Sequence, residues 1–359
     1  MLCKAPFLGM TVDPNGWLTL CCNTNDRTYF KTKITDVEDL NDFFLGEKYD
    51  HIRDVMKKEG MFGLEQCKGC WAAKDGYWEE INNYNKKSYD EPLKIRYLEL
   101  TTSNICNQTC VTCGSYFSSK WRKLESQFGR DVSPSAYLNS ESVEKIIKVL
   151  PDLKYIQIKG GEPFADKNNL KILKTLSEVN PECQVIITSN FQHISDEWWP
   201  VLKSLKNILA AASVDGIGKS YDWIRGGDFK DTEATMRKFA LVTKQRVTIN
   251  VCISLYNVFE LKQIKDYFSD KFYVDNILLN NIVTYPQELS INLLSKDKLN
   301  EAIKDFGNDD IVSNIRMIEP KLNSNLNTKF YTHTDTMNKV RKFNIFEHQP
   351  YLRDIFKAK

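Results

Sequence analysis

The residues most able to do chemistry are the ten cysteines, and they are unevenly placed. Cys3, Cys21, Cys22, Cys67 and Cys70 lie in the first fifth of the chain, Cys106, Cys110 and Cys113 form one tight set, and Cys183 and Cys252 stand alone. Cys106-Asn-Gln-Thr-Cys110-Val-Thr-Cys113 puts three thiols within eight residues, directly after a predicted strand. On a loop free of regular structure, three thiolates can converge on one face of a cubane iron–sulfur cluster. Such a set leaves one iron without a protein ligand, and an open coordination site separates a reactive metal centre from a sealed structural one. The other readings are a zinc site, or three cysteines with no common role. Zinc requires a fourth ligand nearby, and no His stands between His51 and His193.

Four further segments place polar groups where strands are expected to end. In Gly160-Gly161-Glu162-Pro163 the glycines let backbone approach a ligand closely, and the carboxylate suits an ammonium group. The same four residues also make an ordinary turn. Thr188-Ser189-Asn190, Ser213-Val214-Asp215-Gly216 and Asn257 are polar strand ends, which commonly serve only as caps. Arg225-Gly226-Gly227 can reach a carboxylate, although the default for such an arginine is a solvated loop.

Taken together, C-x3-C-x2-C after a first strand and G-G-E-P after a second resemble the radical S-adenosylmethionine (SAM) superfamily. The resemblance implies a [4Fe–4S] cluster on Cys106, Cys110 and Cys113, its open iron chelating the amino and carboxylate groups of SAM. It implies reductive cleavage of SAM to a 5′-deoxyadenosyl radical, which abstracts hydrogen from a substrate. It also implies that Gly160, Gly161, Glu162 and Pro163 hold the SAM amino group, and that Ser189, Asn190, Ser213, Asp215 and Asn257 contact its ribose and carboxylate. One position departs from the family pattern: Thr112 stands before the third cysteine, where a bulky, often aromatic residue usually lies against the adenine.

The N-terminal cysteines carry a second resemblance. Cys3, Gly16 and Cys21 are spaced C-x12-G-x4-C over a predicted hairpin, and Cys67-x2-Cys70 follows. This is similar to the SPASM and twitch auxiliary-cluster domains of the same superfamily, here placed before the barrel. It implies an auxiliary [4Fe–4S] cluster on Cys3, Cys21, Cys67 and Cys70, with a four-cysteine zinc site as the alternative. Neighbouring residues on a strand point to opposite faces, so Cys21 and Cys22 are not expected both to be ligands. Cys183 and Cys252 are expected to pack as small apolar residues.

These residues need a frame that brings strand ends together. Short strand-like runs at 9–12 and 17–20 flank Asp13-Pro14-Asn15-Gly16, which supplies turn chemistry, and a helical stretch follows from 37 to 58. From Leu93 strands alternate with helices: strands at 93–100, 155–159, 184–188, 208–214, 247–255 and 276–283, and helices at 142–150, 170–179, 198–205, 232–244 and 259–268. Alternation of this kind predicts an α/β fold with a parallel sheet and right-handed crossovers. Six units fall short of eight, so the expectation is a partial (β/α)6 TIM-like barrel with a small N-terminal β-rich cluster-binding domain. Every motif above falls at a C-terminal strand end, where such barrels do their chemistry. The expected domains are 1–90 for the auxiliary cluster, 91–290 for the barrel and 291–359 for a polar, partly helical extension carrying His333 and His348. The aromatic-rich connector from Tyr77 to Tyr89 is a candidate lining for a substrate approach or a core cover.

Composition narrows the function. The 359 residues suffice for a sizeable core, and 49 Lys plus Arg against 47 Asp plus Glu give a net charge of only +2. That balance gives no reason to expect nucleic-acid binding. No apolar run approaches the roughly 18 residues of a membrane span, and no signal peptide is expected, so the reading is a cytoplasmic protein with reduced thiols. Family analogy makes a peptide or protein side chain the leading substrate, with small-molecule maturation in cofactor biosynthesis second. A flavodoxin or ferredoxin is the implied electron donor. A non-catalytic zinc or iron–sulfur module is the reading from a different class.

Overall fold

Strands form where apolar and polar residues alternate and β-branched side chains gather. The computed structural model describes residues 3–22, 24, 29–60, 63–67, 92–307 and 309–357. Its strands are β1 (Gly9–Val12), β2 (Leu18–Thr19), β3 (Tyr97–Leu100), β4 (Tyr155–Ile158), β5 (Gln184–Ser189), β6 (Asn207–Ser213), β7 (Val247–Ile253) and β8 (Val274–Ile282). They make one mostly parallel sheet in the order β2-β1-β3-β4-β5-β6-β7-β8. The α/β class and the six alternating strands expected from the sequence are present, and the N-terminal hairpin adds two more. β1 runs parallel to β3, with Gly9 opposite Tyr97 and Val12 opposite Leu100, while β2 folds back antiparallel to β1. Cys70 and the connector from Tyr77 to Tyr89 lie outside the described residues.

The chain divides into two compact units, the first being Met1–Ile105, Ser135–Ile187 and Pro200–Ile208. Its hairpin turn is held by Asp13, whose carboxylate accepts the backbone N–H of Asn15 at 2.9 Å and of Trp17 at 2.8 Å. Gly16 takes φ +80, a conformation that costs a residue with a Cβ. On β4 and β5, Ile156, Ile158, Val185 and Ile187 are wholly buried at every second position. Helices Ser140–Val149 and Lys167–Val179 bury Val143, Ile146 and Val149, and Ile172, Leu173 and Leu176, at helical spacing. Asn139 and Asp166 cap these two helices by accepting the N–H groups of Ser142 and Asn168. Helix Glu47–Glu59 turns Arg53 inward, where its guanidinium bonds the carbonyls of Pro6 at 2.9 Å and Phe44 at 2.6 Å.

The second unit is Cys106–Pro134, Thr188–Trp199 and Leu209–Lys359. Ala210 to Ser213 of β6 pair in register with Val247 to Asn250 of β7, and β7 pairs with β8. Its core is aromatic: Trp121, Trp223, Tyr221, Tyr256, Phe239, Phe268 and Phe330 are all fully buried. Helix Ser324–Arg341 contributes Phe330, His333, Thr334 and Met337 to that core. The hydroxyl of Tyr256 meets Thr334 Oγ1 at 2.9 Å and His333 Nδ1 at 3.1 Å. No described helix is long and apolar enough to cross a membrane.

Burial, with Arg130 and Arg341 adding to it, pushes His333 down to about 3, so the imidazole is neutral in the fold. The unfolded chain titrates near 6.5, so between these values the unfolded state binds more protons and stability falls as pH falls. Wild type is therefore expected to lose up to about 1.4 kcal/mol per pH unit relative to His333→Gln between pH 6.5 and 4. Urea unfolding of both proteins across that range checks this, and parallel pH profiles would refute it.

Candidate active site

The loop that leaves β3 has turns but no helix or strand of its own between Ile105 and Phe117, so much of its shape must come from outside itself. Within the second unit, fixed partners supply it. Val111 donates its N–H to the carbonyl of Ile224 at 2.8 Å, and the indole of Trp121 donates to the carbonyl of Cys110 at 2.9 Å. Ser118 Oγ bonds the carbonyl of Gln108 at 2.7 Å, and Lys120 bonds that of Asn107 at 2.7 Å. The Gln108 amide donates to Gln192 and to the hydroxyl of Tyr221. Asn190, from the end of β5, donates to Asn107 Oδ1 at 2.7 Å, which ties one expected site residue to the loop between the first two cysteines.

The three thiols share an electrostatic environment. Burial raises Cys113 first, and the thiols of Cys110 and Cys106 raise it further. Burial also raises Cys110, with Arg225 and Arg341 pulling it back and Asp215 opposing them. A buried thiol raised by neighbouring thiols, as Cys113 is, resists becoming a thiolate unless positive charge arrives, and a metal centre supplies such charge. By donor type, Cys106, Cys110 and Cys113 suit an iron–sulfur cluster. Among the described residues, no three or more His, Cys, Asp or Glu side chains are gathered tightly enough to hold a metal ion.

The expected polar contacts in this unit are committed to protein partners. Asp215 is fully buried, its Oδ2 pairing with Arg225 Nη1 at 2.8 Å and its Oδ1 accepting the N–H of Cys252 at 2.7 Å. Asn257 bonds the carbonyls of Asp215 and Cys252 and accepts the N–H of Ser254. Ser189 Oγ accepts the N–H of Phe191 at 2.9 Å, and Ser213 is buried at the end of β6. Arg225 is not the solvated loop residue its Arg-Gly-Gly context suggests: it is 8% exposed, and its Nε has no partner among the described residues. Cys252 joins this neighbourhood, because Asp215 and Cys110 both push its thiol up, after burial.

In the first unit, the Gly160–Pro163 segment packs backbone on backbone. Glu162 donates its N–H to the carbonyl of Ile105 at 2.7 Å, and a Cβ on Gly161 would stand 2.0 Å from that oxygen. Gly160 adopts φ +130. Both glycines are thus demanded by geometry, whatever else they hold. Glu162 is buried, and its carboxylate accepts the N–H of Phe164 at 3.1 Å.

Cys21 and Cys22 lie beyond β2, which ends at Thr19, so the strand argument does not apply to them, and their surroundings differ. Cys21 is buried in the electrostatic neighbourhood of Tyr49. Cys22 bonds the buried carboxylate of Glu99, and burial with that carboxylate pushes its thiol up to about 12. Glu99 also pairs with Lys159. Cys3 lies where its N–H meets Met56 Sδ at 3.4 Å, and Cys67 is buried after Leu64, whose carbonyl accepts its N–H.

Sequence reasoning missed Arg341. Its guanidinium bonds Thr109 Oγ1 at 2.7 Å and the carbonyl of Trp223 at 2.9 Å, reaching the cysteine loop from 232 residues away. An isolated arginine in a polar stretch carries no local signal of that role.

Removing the Asp215 carboxylate would strand Arg225 as an unpaired buried charge. Asp215→Ala is expected to cost about 3–5 kcal/mol, and adding Arg225→Met to restore much of it. Denaturant unfolding of wild type, the two single variants and the double variant measures the coupling, and additive losses would refute it.

Among known proteins, the Radical SAM superfamily description matches residues 100–267. No curated protein matches the sequence. Solved structures with similarity include native anSMEcpe with bound AdoMet and Cp18Cys peptide, at 20% identity and TM-score 0.42, covering 62% of this chain and 63% of that one. Streptococcus suis SuiB bound to precursor peptide SuiA gives 16% identity and TM-score 0.37, over 72% of this chain and 51% of that one. TYW1 with a lysine-pyruvate adduct gives 14% identity and TM-score 0.32, over 58% and 72%. The anSMEcpe and SuiB matches thus span less than two thirds of those chains' own length. The matched segment begins on the last residue of β3 and holds all three loop cysteines, the Gly160–Pro163 turn and the Asp215–Arg225 pair. Residues 100–267 thus match the radical SAM superfamily, over just under half of the chain.

Proposed function

We propose that this enzyme reductively cleaves SAM at a [4Fe–4S] cluster on Cys106, Cys110 and Cys113, then abstracts hydrogen from a peptide or protein side chain. The observation that carries the reading is the placement of Cys106, Cys110 and Cys113 on one externally braced loop inside the matched domain, where Cys110 and Cys106 both raise the Cys113 thiol. When bound, the cluster supplies the electron that splits the sulfonium into methionine and a 5′-deoxyadenosyl radical.

The chain's own residues bind and orient. Gly160, Gly161, Glu162 and Pro163 take the SAM amino group, as the family motif assigns. Ser189, Asn190 and Ser213 take its ribose and carboxylate. Asp215 and Asn257 are assigned to the same ribose and carboxylate contacts, and their bonds to Arg225 and to the Asp215 carbonyl hold that strand end rigid, so little reorganisation accompanies binding. Thr112 in place of a bulky residue leaves the adenine with less flat surface to lie on.

The peptide substrate rests on the resemblance of Cys3, Cys21, Cys67 and Cys70 to the SPASM and twitch pattern. Those cysteines carry the auxiliary [4Fe–4S] cluster in this reading, which anchors substrate or relays an electron. A flavodoxin or ferredoxin delivers the electron to the SAM-cleaving centre, and the enzyme works in the cytoplasm, where its thiols stay reduced.

Anaerobically reconstituted wild type is expected to bind about eight irons per chain and to release 5′-deoxyadenosine from SAM after dithionite reduction. Replacing Cys106, Cys110 and Cys113 together by Ala should leave about four irons and no 5′-deoxyadenosine. About four irons in wild type with intact SAM cleavage would remove the auxiliary cluster. Zinc with no SAM cleavage would overturn the reading as a whole.

A further inference from the structure

Arg225 and Arg341 bring two cationic side chains to Cys110, and they are not equivalent. Arg225 is buried, and its charge is already matched by Asp215 at 2.8 Å. Arg341 has no carboxylate partner among the described residues. Its bonds go to neutral acceptors: Nη1 to Thr109 Oγ1 at 2.7 Å, Nη2 to the Thr109 carbonyl at 2.5 Å, and Nε to the Trp223 carbonyl at 2.9 Å. Enclosure alone makes such a cation costly, and burial pulls Arg341 down to about 10, while Cys110 works in the opposite direction. Room for the guanidinium exists because residue 226 is glycine; a Cβ there would come within 2.5 Å of Nη2. The sum at Cys110 is one neutral ion pair plus one unmatched positive charge.

An uncompensated cation held beside a cysteine loop has a consequence if that loop holds an anionic cluster. Each electron added to the cluster makes it more negative, and fixed positive charge in a poorly solvated place favours the reduced form. We propose that Arg341, delivered by the last turn of helix Ser324–Arg341, raises the reduction potential of the cluster on Cys106, Cys110 and Cys113. It is a positioning residue that acts through charge. The inference rests on the cluster reading above and adds to it a role for the C-terminal segment.

The test is an EPR-monitored redox titration of the anaerobically reconstituted full chain, with iron per chain measured alongside. Arg341→Gln keeps hydrogen-bonding capacity and removes the charge. It is expected to lower the reduced fraction at fixed potential roughly tenfold, which for a one-electron couple is a shift of about 59 mV to more negative values. Arg341→Lys keeps the charge and loses the forked geometry, and should titrate close to wild type. Thr109→Asp supplies Arg341 with a carboxylate in place of a hydroxyl, and should shift the midpoint in the same direction as Arg341→Gln. This variant serves if Arg341→Gln does not fold. An unchanged midpoint in either charge-altering variant at wild-type iron content overturns the proposal. So does an Arg341→Lys shift as large as that of Arg341→Gln, because geometry and not charge would then be responsible. A wild-type chain that binds no iron overturns the cluster assignment and this proposal with it.

Discussion

Asp215 sits just beyond the end of β6 without contact to water, and both of its carboxylate oxygens are committed. A buried carboxylate persists as an anion only when a cation and good donors compensate it. Here the cation is Arg225 and the second donor is the backbone of Cys252 on β7, so one side chain joins a helix end to a strand. Asn257 adds bonds to the carbonyls of Asp215 and Cys252 and so closes the corner where β7 ends. Because Arg225 is the largest electrostatic influence on Cys110 after burial, the same ion pair also sets the charge around a candidate cluster ligand.

The cysteine loop depends on partners from outside it as well as on its own sequence. Its own hydrogen bonds are short turns, such as Cys113 N–H to the Cys110 carbonyl, and other carbonyls and N–H groups are taken up by Ile224, Trp121, Ser118, Lys120 and Arg341. Most of these bonds are to backbone atoms, so they constrain where the chain runs without demanding particular side chains in the loop. A loop braced in this way has the course of its backbone fixed before any ligand arrives. That is the condition under which binding energy is not spent on ordering the site.

Much of the frame was legible beforehand because periodicity is a local property. The runs Tyr155–Ile158 and Val247–Ile253 alternate in burial as they alternate in the sequence, Gln184–Ser189 shows its strand by a short apolar run, and the intervening helices carry their apolar residues at three- and four-residue spacing. The turn chemistry of Asp13 to Gly16 likewise acts over four residues and was visible as such. The parallel pairing of β1 with β3 was not, because it joins segments more than eighty residues apart and nothing in Gly9–Val12 names its partner.

By itself, the sequence determined the spacing of Cys106, Cys110 and Cys113, the succession of strands and helices, and the glycines at 160 and 161, since each follows from short-range chemistry. The tertiary structure alone decided which charges surround those cysteines. Arg225 looked like a solvated loop residue and is a buried half of an ion pair; Arg341 carried no signal and stands on the loop itself. Electrostatic environment depends on burial and on partners distant in sequence, and both exist only once the chain has folded.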